Sequence, residues 1–396
     1  MNRIYEKDRA DIFDKVIDRR GTNSLKHDGM AERGMPADVL PFWVADMDFE
    51  APPEAVLAAT RAAAHGVYGY SVAGKGYYDA AINWQKVRFG WDVDRDWIIT
   101  TPGVVFMVAS AVRALSEPGD TIMIQNPVYA VFAPVLRAND RKVVSSDLRL
   151  VGGRYEIDFD DFEKVMVESG AKIFLLCHPH NPIGRVWTRE ELKRMGEICV
   201  EHGVMVISDE IHEDFVYAGK QHIPFAAVDP LFPPITVTCT APSKTFNLAG
   251  LQASNAFVAN PELRRRINRA LDACDIGLNP IAIAAAEAAY RYGAPWLEAL
   301  KEYLMGNYAL LRGALEKGLP AVRPMELEAT YLAWLDCSCL GMAHIDMVGA
   351  FAHKAKVWLN DGATFGANGV GFMRMNLACP RSTLNEGIQR IVEAFS

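Results

Sequence analysis

Residues 239–252 read CTAPSKTFNLAGLQ. The β-branched apolar run ITVTCT ends at Ala241-Pro242, and Ser243-Lys244 follow at once. Lysine is ordinarily a solvated surface residue. Directly after a strand made of apolar and β-branched residues, however, it stands at the strand's carboxyl end, where ligands gather in an open α/β sheet. What the rest of the chain places at equivalent points decides what Lys244 is for.

Outward from this stretch, between about residues 95 and 260, short β-branched runs alternate with helical periodicity: WIITT, VVFMVASAVRAL, TIMIQ, KIFLLC, REELKRMGEICVEHG, VMVISDE, ITVTCT and ASNAFVA. That alternation is the signature of βαβ units on a largely parallel sheet. Thr188 with Glu191 three residues on makes a capping box, and Gly203 stops that helix just before the next strand. The C-terminal third instead shows long helices, strands near TYLAWLDCS and GFMRMNLA, and a last helix from near Ser382. The expected fold is therefore α/β, with a mostly parallel central sheet in a large domain at 50–285. Residues 286–396 form a smaller α+β domain, which the segment 1–49 joins through the loop LPFWVADMDF.

The strand ends hold unusual polar groups. WIITT runs through Pro102-Gly103 into a helix beginning near Val104, whose free amides and positive dipole end suit an anion such as phosphate. TIMIQ leads to Tyr129, an aromatic plate or a core residue. KIFLLC leads into HPHNPIGRVW, where Asn181 reads as a ligand contact or as a turn residue. VMVIS ends at Asp209, a carboxylate that needs a strong partner or a raised pKa. Asp209, His212 and Glu213 could also be read as metal ligands, but no HExxH-like arrangement accompanies them and no metal is expected. A phosphate-binding helix start, an aromatic plate, an amide, a buried acid and a lysine together suit one ligand, pyridoxal 5'-phosphate. Its aldehyde takes a lysine, its ring nitrogen a carboxylate and its phosphate amides.

The bulk properties agree with a globular enzyme. Half of the 396 residues are hydrophobic, and the net charge of −8 gives no footprint for nucleic acid or anionic lipid. The charged N-terminus has no apolar signal core and no later run is long enough to span a membrane, so a cytoplasmic protein is expected. The seven cysteines are scattered, and Cys337 and Cys339 are expected to share one core-facing side of a strand.

The motifs NPVY, HPHNPIG, SDEIHEDF, APSKTFNLAGL and GFMRMNLACP, in this order and across nearly the whole chain, resemble those of the fold-type I pyridoxal-phosphate enzymes of aminotransferase class I/II. Within these they are most similar to the cystathionine β-lyase-like C-S lyases, the MalY/PatB branch. The resemblance implies that Lys244 joins the cofactor aldehyde and shuttles protons, that Asp209 pairs with the ring nitrogen and that Asn181 bonds the phenolic oxygen. It further implies that Tyr129 stacks on the ring and that Gly103, Val104 and Ser243 hold phosphate. Arg374 would clamp the substrate carboxylate, residues 43–46, including Trp43 and Ala45, would line the substrate side, and Tyr70 would reach the phosphate of a second subunit in a homodimer.

Two positions depart from the aminotransferase pattern. Gln252 stands where many relatives carry a phosphate-binding arginine, and His212 where many carry the tyrosine that bonds the phenolic oxygen. The implied activity is C-S β-elimination from a small amino-acid substrate, with aminotransferase as the alternative and a regulatory protein-binding role on the same fold as another.

Overall fold

The structure is a computed structural model that describes residues 11–217 and 219–396. The first ten residues, assigned above to the small domain and read as a charged start without an apolar core, lie outside the described residues, as does Ala218. Seven strands make the central sheet: β1 (Ile98–Thr101), β2 (Thr121–Ile124), β3 (Lys142–Ser145), β4 (Ile173–Cys177), β5 (Met205–Asp209), β6 (Thr236–Thr240) and β7 (Ser254–Phe257). Their order is β1-β7-β6-β5-β4-β2-β3. The pairs from β3 across to β6 are parallel, and β7 alone is reversed, running antiparallel to β6 and to β1.

Alternation along the strands explains why both faces are covered. Ile122, Ile124, Ile173, Leu175 and Ile207 share an apolar cluster with Val104, Met107, Val108 and Ala111 of the helix Val104–Leu115. Met123, Phe174, Leu176 and Val206, one position out of step, cluster with the helices Phe159–Ser169 and Arg189–Glu201. Each large apolar side chain removed from water in this way contributes ~1.5–3 kcal/mol. Both halves of the Thr188 capping box form, and the chain turns back into β5 through Gly203 at φ 64°. The helix Arg189–Glu201 approaches Phe232 so closely that a Cβ on Gly196 would stand 2.1 Å from the ring.

A second, antiparallel sheet follows in the C-terminal part: β8 (Arg323–Pro324), β9 (Leu332–Asp336), β10 (Asn360–Asp361) and β11 (Phe372–Asn376), in the order β8-β9-β11-β10. It shares an apolar cluster with the helices Ala294–Gly318 and Arg381–Phe395. Leu40–Pro41 pairs in parallel with Val357–Trp358, which fastens the N-terminal loop to this part of the chain. The expectation for the two cysteines is corrected here. Asp336 accepts from the Ser338 amide at 3.0 Å and turns the chain out of β9. Cys337 is therefore buried, whereas Cys339 is exposed, with its sulfur 2.7 Å from Nη2 of Arg323.

Candidate active site

The carboxyl ends of β1, β4, β5 and β6 open into a cavity of about 430 Å³. Lys244, Asp209, Asn181, Tyr129, His212 and Arg374 all line it, together with Gly103, Val104, Ser243, Trp43, Ala45 and Gln252. Tyr70 stands apart from the other residues singled out by sequence: it is fully exposed and does not line this chain's cavity.

Lys244 sits in the short helix Pro242–Thr245 at the end of β6, and its amine donates to the Ala45 carbonyl at 2.7 Å. Burial pushes its pKa down to about 8; Asp46 and Asp209 pull it back upward, and Arg374 pushes it further down. Asp209 is the last residue of β5. Its carboxylate accepts from the Ile211 amide at 3.1 Å, yet burial outweighs that amide and Lys244 and raises its pKa to about 7.

Arg374 is placed by β11, opposite Trp334 of β9, and is only 3% exposed. Its guanidinium donates to Asn181 Oδ1 at 3.0 Å and to the Trp43 carbonyl at 2.9 Å, and its Nε has no partner. Among the described residues no carboxylate pairs with it, and burial lowers its pKa to about 10. Asn181 is held by the loop that follows β4, where His180 bonds the Pro127 carbonyl at 2.9 Å and bridges back to Arg185.

His212 is buried with Nδ1 unpartnered. Burial, then Lys244 and Arg374, keep its imidazole neutral. Tyr129 packs edge-on to Phe132 at 5.5 Å, and burial keeps its phenol protonated. The helix Val104–Leu115 begins at Gly103 with no side-chain cap, and a Cβ on Gly103 would meet open space. Its first-turn amides are thus available to an outside acceptor. Gln252 holds a left-handed backbone, φ 60°, at the cavity wall. Asp209, His212 and Glu213 do not come together as one ligand set: among the described residues Glu213 stands with Glu210 and His222, and neither Asp209 nor His212 belongs to that group.

Sequence reasoning missed the side chains that hold the 43–48 loop against the cavity. Asn376 donates to the Val44 and Asp46 carbonyls at 2.6 Å each, Asn247 exchanges bonds with Met47, and Tyr331 donates to the Ala45 carbonyl at 2.9 Å. Asn247, three residues after Lys244 with φ 56°, carries a faint signal as a turn asparagine. Tyr331 carries none, because its partner lies 286 residues away.

The sequence profile of the family described as Aminotransferase class I and II matches residues 37–391. Cystathionine beta-lyase PatB of Bacillus subtilis (strain 168) is 42% identical over 385 residues, covering 97% of this chain and 100% of its own length. Protein MalY of Escherichia coli (strain K12) is 36% identical over 389 residues, covering 97% of this chain and 98% of its own. The crystal structure of cystalysin from Treponema denticola, which contains a pyridoxal 5'-phosphate cofactor, superposes with a TM-score of 0.93 at 36% identity over 96% of this chain and 98% of that one. The chain belongs to the aminotransferase class I and II family and, within it, to the cystathionine β-lyase-like C-S lyases.

Proposed function

We propose that this chain is a pyridoxal-phosphate-dependent C-S β-lyase that converts cystathionine or another cysteine S-conjugate, with water, into pyruvate, ammonia and a thiol. The observation that carries the cofactor chemistry of this reading is the convergence in one cavity of a lysine amine shifted to about 8, a buried acid shifted to about 7 and an arginine with no carboxylate partner among the described residues, and the similarity to C-S lyases favours elimination. The residues fit the cofactor. Asp209, expensive to bury with an amide alone, suits a ring nitrogen that needs an anion. The uncapped helix start at Gly103 and Val104, with Ser243, suits the phosphate; Asn181 suits the phenolic oxygen, Tyr129 the ring face and Lys244 the aldehyde.

When bound, pyridoxal phosphate supplies the electron sink for negative charge at the substrate's Cα. Arg374 would take the α-carboxylate through its fork, a counter-ion that no described residue gives it. Lys244, freed of the cofactor and neutral, would remove the α-proton. The Cβ-S bond then breaks with its electron pair on sulfur, which leaves with a proton as the thiol, and the released aminoacrylate is hydrolysed to pyruvate and ammonia. Tyr70 lies with Val67, Tyr68 and Val72 on an exposed apolar stretch, which supports a homodimer in which Tyr70 enters the neighbouring subunit's phosphate site.

The test incubates the cofactor-loaded enzyme with cystathionine and assays thiol and pyruvate together. Equal amounts of both are expected, and Lys244→Ala is expected to lower the rate by about 10³-fold or more. Loss of the cofactor's visible band without thiol release would make the chain an aminotransferase instead.

A further inference from the structure

Five consecutive carbonyls, those of Trp43 through Met47, each accept a side chain from a distant part of the chain. Arg374 takes the first, Asn376 the second and fourth, and Asn247 with Arg19 the fifth. The third, of Ala45, receives two donors: the Lys244 amine at 2.7 Å and the Tyr331 hydroxyl at 2.9 Å. Tyr331 has little freedom of its own. It is fully buried next to the start of β9, with its ring edge-on to Phe215 at 4.9 Å and to His212 at 5.7 Å, and its carbonyl bonded to the Leu377 amide.

We propose that Tyr331 is a positioning residue for Lys244: it fixes the Ala45 carbonyl as the resting place of the lysine amine whenever that amine is free of the cofactor, and by sharing this acceptor it keeps the amine ready to release its proton. The inference rests on the reading that Lys244 is the lysine that joins the cofactor.

The physical argument turns on one oxygen. A carbonyl that accepts from an ammonium favours the charged form, and a carbonyl already engaged by a hydroxyl offers the ammonium less. Removing the hydroxyl gives Lys244 the whole acceptor, so its proton is held more tightly, and it also removes a restraint on where the carbonyl points. The other charges facing Lys244 are Asp46 on the same loop, Asp209 at the end of β5 and Arg374 on β11, with His212 beside them neutral. All four stay in place in Tyr331→Phe, so the variant isolates the hydroxyl.

The test measures acylation of Lys244 by a small amine-reactive reagent in cofactor-free protein, followed by peptide mass spectrometry across pH. Half-maximal reactivity is expected near pH 8 in the wild type. Tyr331→Phe is expected to react about 3- to 10-fold more slowly at neutral pH, with its midpoint moved upward. Replacing Tyr331 by 3-fluorotyrosine, a stronger donor of the same shape, is expected to move the midpoint downward, and it preserves the fold should phenylalanine not. Tyr217→Phe, which removes a buried hydroxyl that has no partner, is expected to leave the profile unchanged. In the loaded enzyme Tyr331→Phe should lower kcat about 10-fold, with KM within about 2-fold, and enlarge the isotope effect of an α-deuterated substrate. An unchanged labelling profile in both Tyr331 variants would overturn the proposal even if kcat or Tm fell, because packing alone would then explain the loss. A wild type that labels normally at Lys244 but releases no thiol would sink the lyase reading and leave this comparison of profiles standing.

Discussion

Arg185 and Arg374 are equally buried, each at 3% exposure, and they border the same loop, yet their surroundings are opposite. Arg185 forks onto Glu191 at 3.0 and 2.9 Å, lies 3.6 Å from Glu328, donates to the Tyr155 carbonyl at 2.8 Å and covers the Trp187 ring. Among the described residues Arg374 meets only neutral acceptors, Asn181 Oδ1 and the Trp43 carbonyl, and the Phe365 ring. Burying a charge costs several kcal/mol unless an opposite charge meets it. For Arg185 the chain itself offsets that cost, so the group is scaffold. For Arg374 no described residue does so, and on the proposed reading the counter-ion is the substrate carboxylate. Unpaired buried charge, more than burial or charge alone, separates the two roles.

Methionine at each position tests this separation. Arg374→Met should lower kcat/KM by about 10²–10³, equivalent to about 3–4 kcal/mol of lost charge-assisted contact. Its stability to urea should stay within about 1 kcal/mol, since the lost hydrogen bonds are balanced by relief of an unpaired charge. Arg185→Met should do the reverse. Glu191 loses its fork and Glu328 loses one of three nearby cations, keeping Arg154, Lys220 and the Val186 amide, so unfolding free energy should drop by about 3 kcal/mol while kcat/KM falls less than 10-fold. Should Arg185→Met cost more activity than stability, the scaffold assignment would fail.

The same contrast explains what the sequence could tell. Lys244, Asp209 and Asn181 were legible because each stands at or within a few residues of the carboxyl end of an apolar strand, and in a parallel sheet these ends meet at one edge. Arg374 was legible only through resemblance, since an arginine in GFMRMN can also stand as a surface strand residue. Tyr331, Asn376 and Asn247 were not legible as site residues, because their role is to bond backbone carbonyls of a loop far away in sequence. No local pattern records which carbonyl a side chain will meet. Cys339 was misread for a local reason: a period-two extension of β9 ignored Asp336, whose side chain ends the strand by capping the turn.

Asp209 offers the finest test, because it is a buried charge of the unpaired kind whose counter-ion would be the cofactor. Its pKa stands near 7 in the folded chain against 3.8 for an unburied aspartate, with burial the leading cause. The unfolded chain therefore releases this proton near pH 4, whereas the folded cofactor-free chain keeps it until about pH 7. Over that window the unfolded state binds fewer protons, so stability falls as pH rises, by an upper bound of roughly 4 kcal/mol. Asp209→Asn removes the penalty: cofactor-free variant and wild type should be close in stability near pH 4, and the variant should gain by roughly 1–3 kcal/mol at pH 8. On the proposed reading, addition of pyridoxal phosphate should cancel or reverse that gain, because the ring nitrogen would give the wild-type carboxylate a cation partner. Denaturant titrations at several pH values, with and without cofactor, measure all of this. A gain at pH 8 that persists after the cofactor is bound would mean that Asp209 faces something other than the ring nitrogen.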